Sequence, residues 1–298
     1  MTSSYSQNPD NYCYRHPDRQ SFVLCQRCTR TICPECMTQA SVGHICPECI
    51  KEQKKSRTPA QKRAARSWGR GSVAAVSYGA GGSRATSAIF IVTAVVYLLQ
   101  LLGRVVPGLD VQGWLMFWAP YLYPELTGTF EPWRILTAAV VHSGFWHVGL
   151  NMLTLWMVGR SLEPLMGSGR FLATYLLSAA GGSAAVALLG FSTPVVGASG
   201  AVFGLFGALL VIGRSLGAKM TGLYVVLGIN LVLGFVRAGQ ISWQAHVGGL
   251  IVGALVGFII MRTRRPTQKK LQVALLCAVG VGIAALFSVP AFGFALSL

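Results

Sequence analysis

From Ala88 onward the sequence is a succession of long apolar runs, and this feature limits the fold more than any other. A helix needs about 20 apolar residues to cross roughly 30 Å of hydrocarbon. Residues 164–298 also contain no Asp or Glu, which would be unusual for a soluble domain. The sequence therefore predicts an all-α polytopic membrane protein. Seven spans are expected, at 88–106, 140–159, 169–190, 199–216, 219–236, 243–261 and 271–293.

The basic residues predict how these spans are oriented. With the N-terminus in the cytoplasm, 22 of the 25 Lys and Arg fall in cytoplasmic segments, and only Arg104, Arg134 and Arg237 fall outside. Cytoplasmic loops of membrane proteins are enriched in Lys and Arg. We therefore expect a multi-pass protein of the cell membrane, with the N-terminus cytoplasmic and the C-terminus outside.

The same distribution accounts for the formal net charge of +16 without a nucleic-acid partner. Residues 51–87 are basic and rich in Gly, Ser and Ala, so we interpret them as a flexible linker. Its basic part, 51–70, is expected to act first as a signal for orientation and second as a binding segment for anionic lipid. Binding of nucleic acid is not expected.

Residues 1–50 hold seven of the eight cysteines, arranged with histidine as four closely spaced pairs. Eight ligands are enough for two tetrahedral zinc sites, which would stabilise a segment too small for a large core. A disulfide framework is the alternative, and the predicted cytoplasmic location disfavours it. His44 is an alternative ligand to Cys46. The expected ligands are Cys13, His16, Cys25, Cys28, Cys33, Cys36, Cys46 and Cys49.

The spacing of these pairs resembles B-box-like and other cross-brace zinc fingers. The resemblance implies that the first and third pairs share one zinc ion and that the second and fourth pairs share the other. Both ions would be structural, because four protein ligands leave no coordination position open. We expect the domain to dock a cytoplasmic protein partner or to regulate the membrane region.

Ionisable residues in membrane spans are costly and are usually functional. In the predicted topology, His147 and Asn151 lie early in the second span, Ser199 starts the fourth, and His246 lies early in the sixth. These three spans run in the same direction, so the four residues share one depth in the outer half of the bilayer. His142 lies near the entry of the second span and is expected to support the site through a hydrogen bond.

Ser199 stands between glycines, in Gly197-Ala198-Ser199-Gly200, at the start of a predicted helix. Free N–H groups at a helix N-terminus suit an oxyanion formed beside a serine nucleophile. His246 is the expected base, and His147 and Asn151 are the expected side-chain oxyanion donors. Since no carboxylate follows Glu163, the sequence predicts a Ser-His dyad. The simpler alternatives are a packing role for Ser199 and a proton or transport path for the histidines.

Five short motifs of the membrane region follow one another in an order typical of one family. They are Trp133-Arg134, His142-x4-His147-x3-Asn151, Glu163-x3-Gly167-x2-Arg170-Phe171, Gly197-x-Ser199-Gly200 and Ala245-His246. Over about residues 88–262 the chain thereby resembles the rhomboid intramembrane serine proteases. The family often has Tyr four residues after the nucleophile, stacked on the catalytic histidine. This sequence has Phe203 there, which keeps the ring and loses the hydroxyl.

The resemblance implies a six-helix protease core at 88–262, followed at 263–298 by a basic loop and a seventh transmembrane helix. It implies hydrolysis of peptide bonds in or near the transmembrane segments of membrane-protein substrates, at a site open to the outer face. No cofactor is expected for catalysis. The alternative function is that of a catalytically silent rhomboid-like protein that binds membrane clients. Such proteins usually lack one or both of the residues that correspond to Ser199 and His246, and both are present here. The family says little about the zinc domain or the seventh helix.

Overall fold

The computed structural model describes residues 9–39, 44–56, 83–236 and 241–290. The chain divides into two compact units, residues 1–76 and 77–298, and each is described by itself. Residues 57–82 of the predicted linker and residues 291–293 of the predicted seventh span lie outside the described part of the chain.

The first unit consists of two small antiparallel hairpins and one helix. Its elements are β1 (Tyr12–Cys13), β2 (His16–Gln20), β3 (Thr38–Gln39), β4 (His44–Ile45) and α1 (Pro47–Lys55). β1 pairs with β2, and β3 pairs with β4. Six cysteines and Ile32 form its buried cluster. A unit of this size buries little apolar surface, and units this small usually need metal ions or disulfide bonds to be stable.

The described part of the second unit is mainly helical. Its helices are α2 (Arg84–Gly103), α3 (Val111–Leu115), α4 (Pro124–Thr127), α5 (Arg134–Thr137), α6 (Phe145–Met166), α7 (Ser168–Leu189), α8 (Ser199–Ser215), α9 (Thr221–Val236), α10 (Trp243–Arg262) and α11 (Lys269–Leu286). Four helical segments of the described residues are long and apolar enough to cross a membrane: α2, α7, α10 and α11 with its preceding turn. α8 and α9 are apolar and shorter.

The predicted second span is wrong in its starting point. Residues 140–144 were expected to be helical, but α6 begins at Phe145 and extends to Met166. The reason is a side chain from α2: Gln100 Oε1 accepts the His142 N–H at 3.0 Å, and Gln100 Nε2 donates to the His142 carbonyl at 2.9 Å. Because Gln100 takes both backbone groups of His142, this residue cannot join the helical hydrogen-bond ladder.

α8 and α10 pack with their backbones in close contact. A Cβ atom added at Gly249 would lie 1.9 Å from the Gly200 carbonyl oxygen, and one added at Gly253 would lie 1.9 Å from the Gly204 carbonyl oxygen. Small residues at four-residue intervals allow this approach in membrane helices. The contact brings the start of α8, which carries Ser199, beside the start of α10, which carries His246.

Glu163, the last acidic residue of the chain, is buried near the end of α6. Its Oε1 accepts hydrogen bonds from the Ala85 N–H and the Ser168 hydroxyl, at 2.8 and 2.6 Å. Its Oε2 accepts from the N–H and the hydroxyl of Thr86, at 2.9 and 2.6 Å. A carboxylate at the positive end of a helix dipole is stabilising. Glu163 therefore fixes the start of α2 to the turn between α6 and α7.

α11 is held to the other helices at both ends. At its start, Gln272 accepts from the Arg170 guanidinium at 2.6 Å and donates to the Thr263 hydroxyl at 2.7 Å. Just beyond its end, the Phe287 carbonyl accepts a hydrogen bond from the Tyr123 hydroxyl. The long connection between α2 and α6 is therefore an ordered part of the structure to which α11 is joined.

Candidate active site

A cavity of about 1110 Å³ brings together the four polar residues that the sequence placed at one depth. Ser199, His246, His147 and Asn151 all line it, although they come from three different helices and span 100 positions of the chain. Asn151 and His246 are buried, and Ser199 and His147 are half-buried. A concave site with several convergent polar groups is the usual form of a binding or catalytic site.

Ser199 is the first residue of α8, and Ala198 before it is buried. The first N–H groups of a helix have no partner within the helix, so the N–H groups of Ser199 and Gly200 form no hydrogen bond within α8. Within the described residues, Ser199 Oγ and His246 form no hydrogen bond, and His246 Nδ1 is buried without a partner. Catalytic hydrogen bonds often shorten only when the substrate is bound.

The imidazole of His246 is held by an aromatic ring. Phe203 lies one turn after Ser199 on α8, and its ring is parallel to the His246 imidazole, with 4.0 Å between centroids and 7° between planes. This is the stacking expected for the residue that replaces Tyr. The phenyl ring restricts the imidazole to one plane.

His147 lies directly over the loop that precedes the serine. A Cβ atom added at Gly197 would be 2.6 Å from His147 Nε2, and Gly197 has a φ of +116°. Both observations require glycine at this position. The other ring nitrogen, His147 Nδ1, lies 3.0 Å from the Ser143 hydroxyl. Asn151 donates one amide hydrogen to the His147 carbonyl at 2.8 Å, which leaves its second N–H available to a ligand.

His142 is buried behind the site and does not line the cavity. Its Nε2 accepts the Ala198 N–H at 3.3 Å, and its ring lies 5.0 Å from that of His147. Gln100 in turn holds the backbone of His142, as described above. Sequence reasoning missed Gln100, although an amide within an otherwise apolar run was a visible signal.

Trp133 and Arg134 lie in the connection between α2 and α6, outside the cavity lining. Arg134 is buried, pairs with Glu131, and donates to the carbonyls of Gly113 and Met116. Its guanidinium also lies over the Tyr121 ring, 4.3 Å from the centroid. Arg134 therefore organises this connection, whereas the Trp133 side chain is exposed.

The first unit contains two groups of four side chains that could each bind a metal ion. In each group the ligand atoms lie within 4.8 Å of one another, and the groups are Cys13, His16, Cys33 and Cys36, and Cys25, Cys28, Cys46 and Cys49. The first and third pairs and the second and fourth pairs are thus combined, as the cross-brace resemblance implied. The second group contains Cys46, and His44 is not one of its members.

The dimensions of both groups fit zinc. Zn–S bonds of about 2.3 Å in a tetrahedron separate two sulfurs by about 3.8 Å. Cys28 Sγ and Cys46 Sγ are 3.7 Å apart, and His16 Nδ1 lies 3.3 and 3.4 Å from the sulfurs of Cys33 and Cys36. Burial would raise the pKa of the Cys13 thiol, but backbone N–H groups lower it to about 6, whereas burial and the neighbouring Cys13 and Cys33 raise the pKa of the Cys36 thiol to about 11.

Comparison with known proteins agrees with this geometry. Residues 129–263 match the family model of the Rhomboid domain. The chain is 41% identical over 161 residues to Rhomboid protease GluP of Bacillus subtilis, an alignment that covers 51% of this chain and 31% of GluP. It is 32% identical over 157 residues to Rhomboid protein 1, mitochondrial, of Saccharomyces cerevisiae, covering 47% of this chain and 45% of that protein.

RHOMBOID-like protein 1 of Arabidopsis thaliana is 35% identical over 139 residues, which cover 44% of this chain and 35% of that protein. The chain therefore spans less than half the length of these relatives. The similarity covers the part of the chain that contains the cavity. The chain is a multi-pass membrane protein that contains a rhomboid-like region, preceded by a small cysteine-rich unit.

Proposed function

We propose that this protein is an intramembrane serine protease that cleaves peptide bonds in or near the transmembrane segments of membrane proteins. The observation that carries the proposal is the shared cavity of Ser199, His246, His147 and Asn151. The similarity to Rhomboid protease GluP supports it. The catalytic unit is a six-helix core of α2 and α6–α10, to which α11 adds a seventh helix.

Ser199 Oγ attacks the substrate carbonyl carbon while His246 accepts the hydroxyl proton. The carbonyl oxygen becomes an oxyanion, which the Ser199 N–H and the side chains of Asn151 and His147 stabilise. The C–N bond then breaks as His246 gives its proton to the leaving amine. A water molecule attacks the acyl-enzyme while His246 takes its proton, and His246 then gives this proton to Ser199 Oγ as the ester C–O bond breaks.

The absence of any Asp or Glu among the described residues that line the cavity supports a dyad in place of a Ser-His-Asp triad. Glu163 is held by four hydrogen bonds at the start of α2, and Glu131 pairs with Arg134. The dyad therefore relies on Phe203 to orient His246. In the proposed topology, with the N-terminus cytoplasmic, the cavity opens to the outer face, from which water reaches the acyl-enzyme.

The test is cleavage of a single-span substrate in liposomes by the wild type, Ser199→Ala and His246→Ala. Both substitutions are expected to abolish cleavage, and Ser199→Ala is expected to abolish labelling by a fluorophosphonate. Ser161→Ala is the matched control, because Ser161 is exposed on α6 and lies outside the cavity lining. Substrate binding without cleavage by the wild type would instead support a catalytically silent client-binding protein.

We further propose that the two metal-binding groups each hold a structural zinc ion, and that the small unit docks a cytoplasmic partner or regulates the protease. The separation of the ligand atoms supports this assignment. Metal analysis of the full chain is expected to find two zinc ions per molecule. Disulfide bonds in place of zinc would contradict both the metal assignment and the cytoplasmic location of the N-terminus.

A further inference from the structure

The end of the seventh helix packs against the segments that lead to the cavity. Phe287, the first residue after α11, contacts an apolar cluster whose buried members include Phe117 and Tyr123 of the long connection between α2 and α6. Val195, four residues before Ser199, packs against the same cluster. α11 is therefore in contact, through this cluster, with the segment that carries the proposed nucleophile.

Phe287 makes two specific contacts with the connection. Its ring meets the Phe117 ring edge to face, with 6.3 Å between centroids and 60° between planes, and its carbonyl accepts a hydrogen bond from the Tyr123 hydroxyl. Aromatic pairs favour this arrangement. Phe117 has no exposed surface, so its ring can move only if the rings and side chains around it also move. Phe287 thus helps to set the position of Phe117.

The backbone of Phe117 holds the segment before Ser199. The Phe117 N–H donates to the Val195 carbonyl at 3.0 Å, and the Val195 N–H donates to the Phe117 carbonyl at 2.8 Å. The N–H groups of Gly197 and Ala198 donate to residues that precede α6, at 2.8 and 3.3 Å. Of these attachments, the pair with Phe117 is the one through which Phe287 can act, because the same residue carries the ring contact.

We propose that Phe287 is a positioning residue for the protease reaction. It fixes Phe117, Phe117 fixes Val195, and the path of residues 195–199 then places Ser199 Oγ for its reaction with His246 as base. This inference rests on the proposed function, and it gives the seventh helix a role in catalysis. No residue of α11 is among the described residues that line the cavity, so the effect is expected in kcat and not in KM.

Hydrogen exchange measures this connection without any substrate. The full chain is compared in detergent micelles as wild type, Phe287→Ala and Val281→Ala, by mass spectrometry of the peptides that contain Phe117 and Val195. Phe287→Ala is expected to speed exchange of these two amides by about tenfold, because the pair opens more often. Val281→Ala is the control, since Val281 is exposed on α11 and should leave both amides unchanged.

Cleavage of a single-span substrate in liposomes then tests the effect on Ser199. Phe287→Ala is expected to lower kcat about tenfold with KM changed less than about twofold. Phe287→Leu, which keeps apolar contact with Phe117, should recover most of the rate, and Tyr123→Phe, which removes only the hydrogen bond, should cause a smaller fall. These two milder variants provide the same test if Phe287→Ala does not fold.

Two results would overturn the inference. One is exchange of the two amides in Phe287→Ala at the rate of Val281→Ala, and the other is faster exchange with kcat unchanged. Faster exchange in Phe287→Ala together with no cleavage by the wild type would retain the link between α11 and the segment before Ser199, and would refute the protease function.

Discussion

Glu163 offers the most direct test of how this membrane domain is held together. Glu163→Gln keeps the size of the side chain but replaces one acceptor oxygen by an NH2 group. Each carboxylate oxygen accepts two hydrogen bonds, so the substitution removes two of the four. It also places the new NH2 group opposite the two donors that have lost their acceptor. Hydrogen bonds to charged groups contribute about 1.5–3 kcal/mol each. We therefore expect Glu163→Gln to lower the free energy of unfolding by about 3 kcal/mol.

The assay is reversible unfolding in mixed micelles, with SDS as the denaturant and tryptophan fluorescence as the signal. Glu125→Gln is the matched control, because it makes the same chemical change at an exposed carboxylate. It is expected to change the free energy of unfolding by less than about 0.5 kcal/mol. If Glu163→Gln destabilises the protein no more than Glu125→Gln does, Glu163 does not fix α2 to the helix turn and the reasoning is refuted.

Three further predictions concern the site and the small unit. Gly197→Ala is expected to lower kcat/KM about 100-fold by displacing His147, whereas Gly149→Ala, which has open space around it, is expected to leave activity unchanged. Gln100→Leu leaves both backbone groups of His142 without partners, so the free energy of unfolding should fall by about 2–4 kcal/mol in the same unfolding assay. Cys36→Ser is expected to reduce the zinc content from two ions to one, measured on purified full-length protein.

The sequence is most informative at residues whose chemistry conflicts with their surroundings. His147, Asn151 and His246 are polar groups in apolar runs, so a single-sequence reading marks them as functional, and the structure places them around one cavity. The pairing of the metal-binding groups was equally accessible, because the ligand pairs repeat at short intervals and match a known finger pattern.

The parts that the sequence did not predict depend on contacts between distant residues. Residues 138–141 are apolar whether they form a turn or a helix, so composition alone could not place the start of α6 at Phe145. The contact that decides it joins Gln100 to His142, 42 residues apart.

The distribution of acidic residues connects stability with mechanism in this chain. Its last carboxylate, Glu163, accepts hydrogen bonds at the start of α2, so it is not free to orient the proposed base, His246. His246 is oriented instead by a stacked ring, and Phe203 has no hydroxyl that could accept or donate a proton. Such a site controls the plane of the imidazole through packing and not through charge. Replacing Phe203 by Leu should therefore lower kcat more than it raises KM, because the imidazole loses its fixed plane while the rest of the cavity is retained.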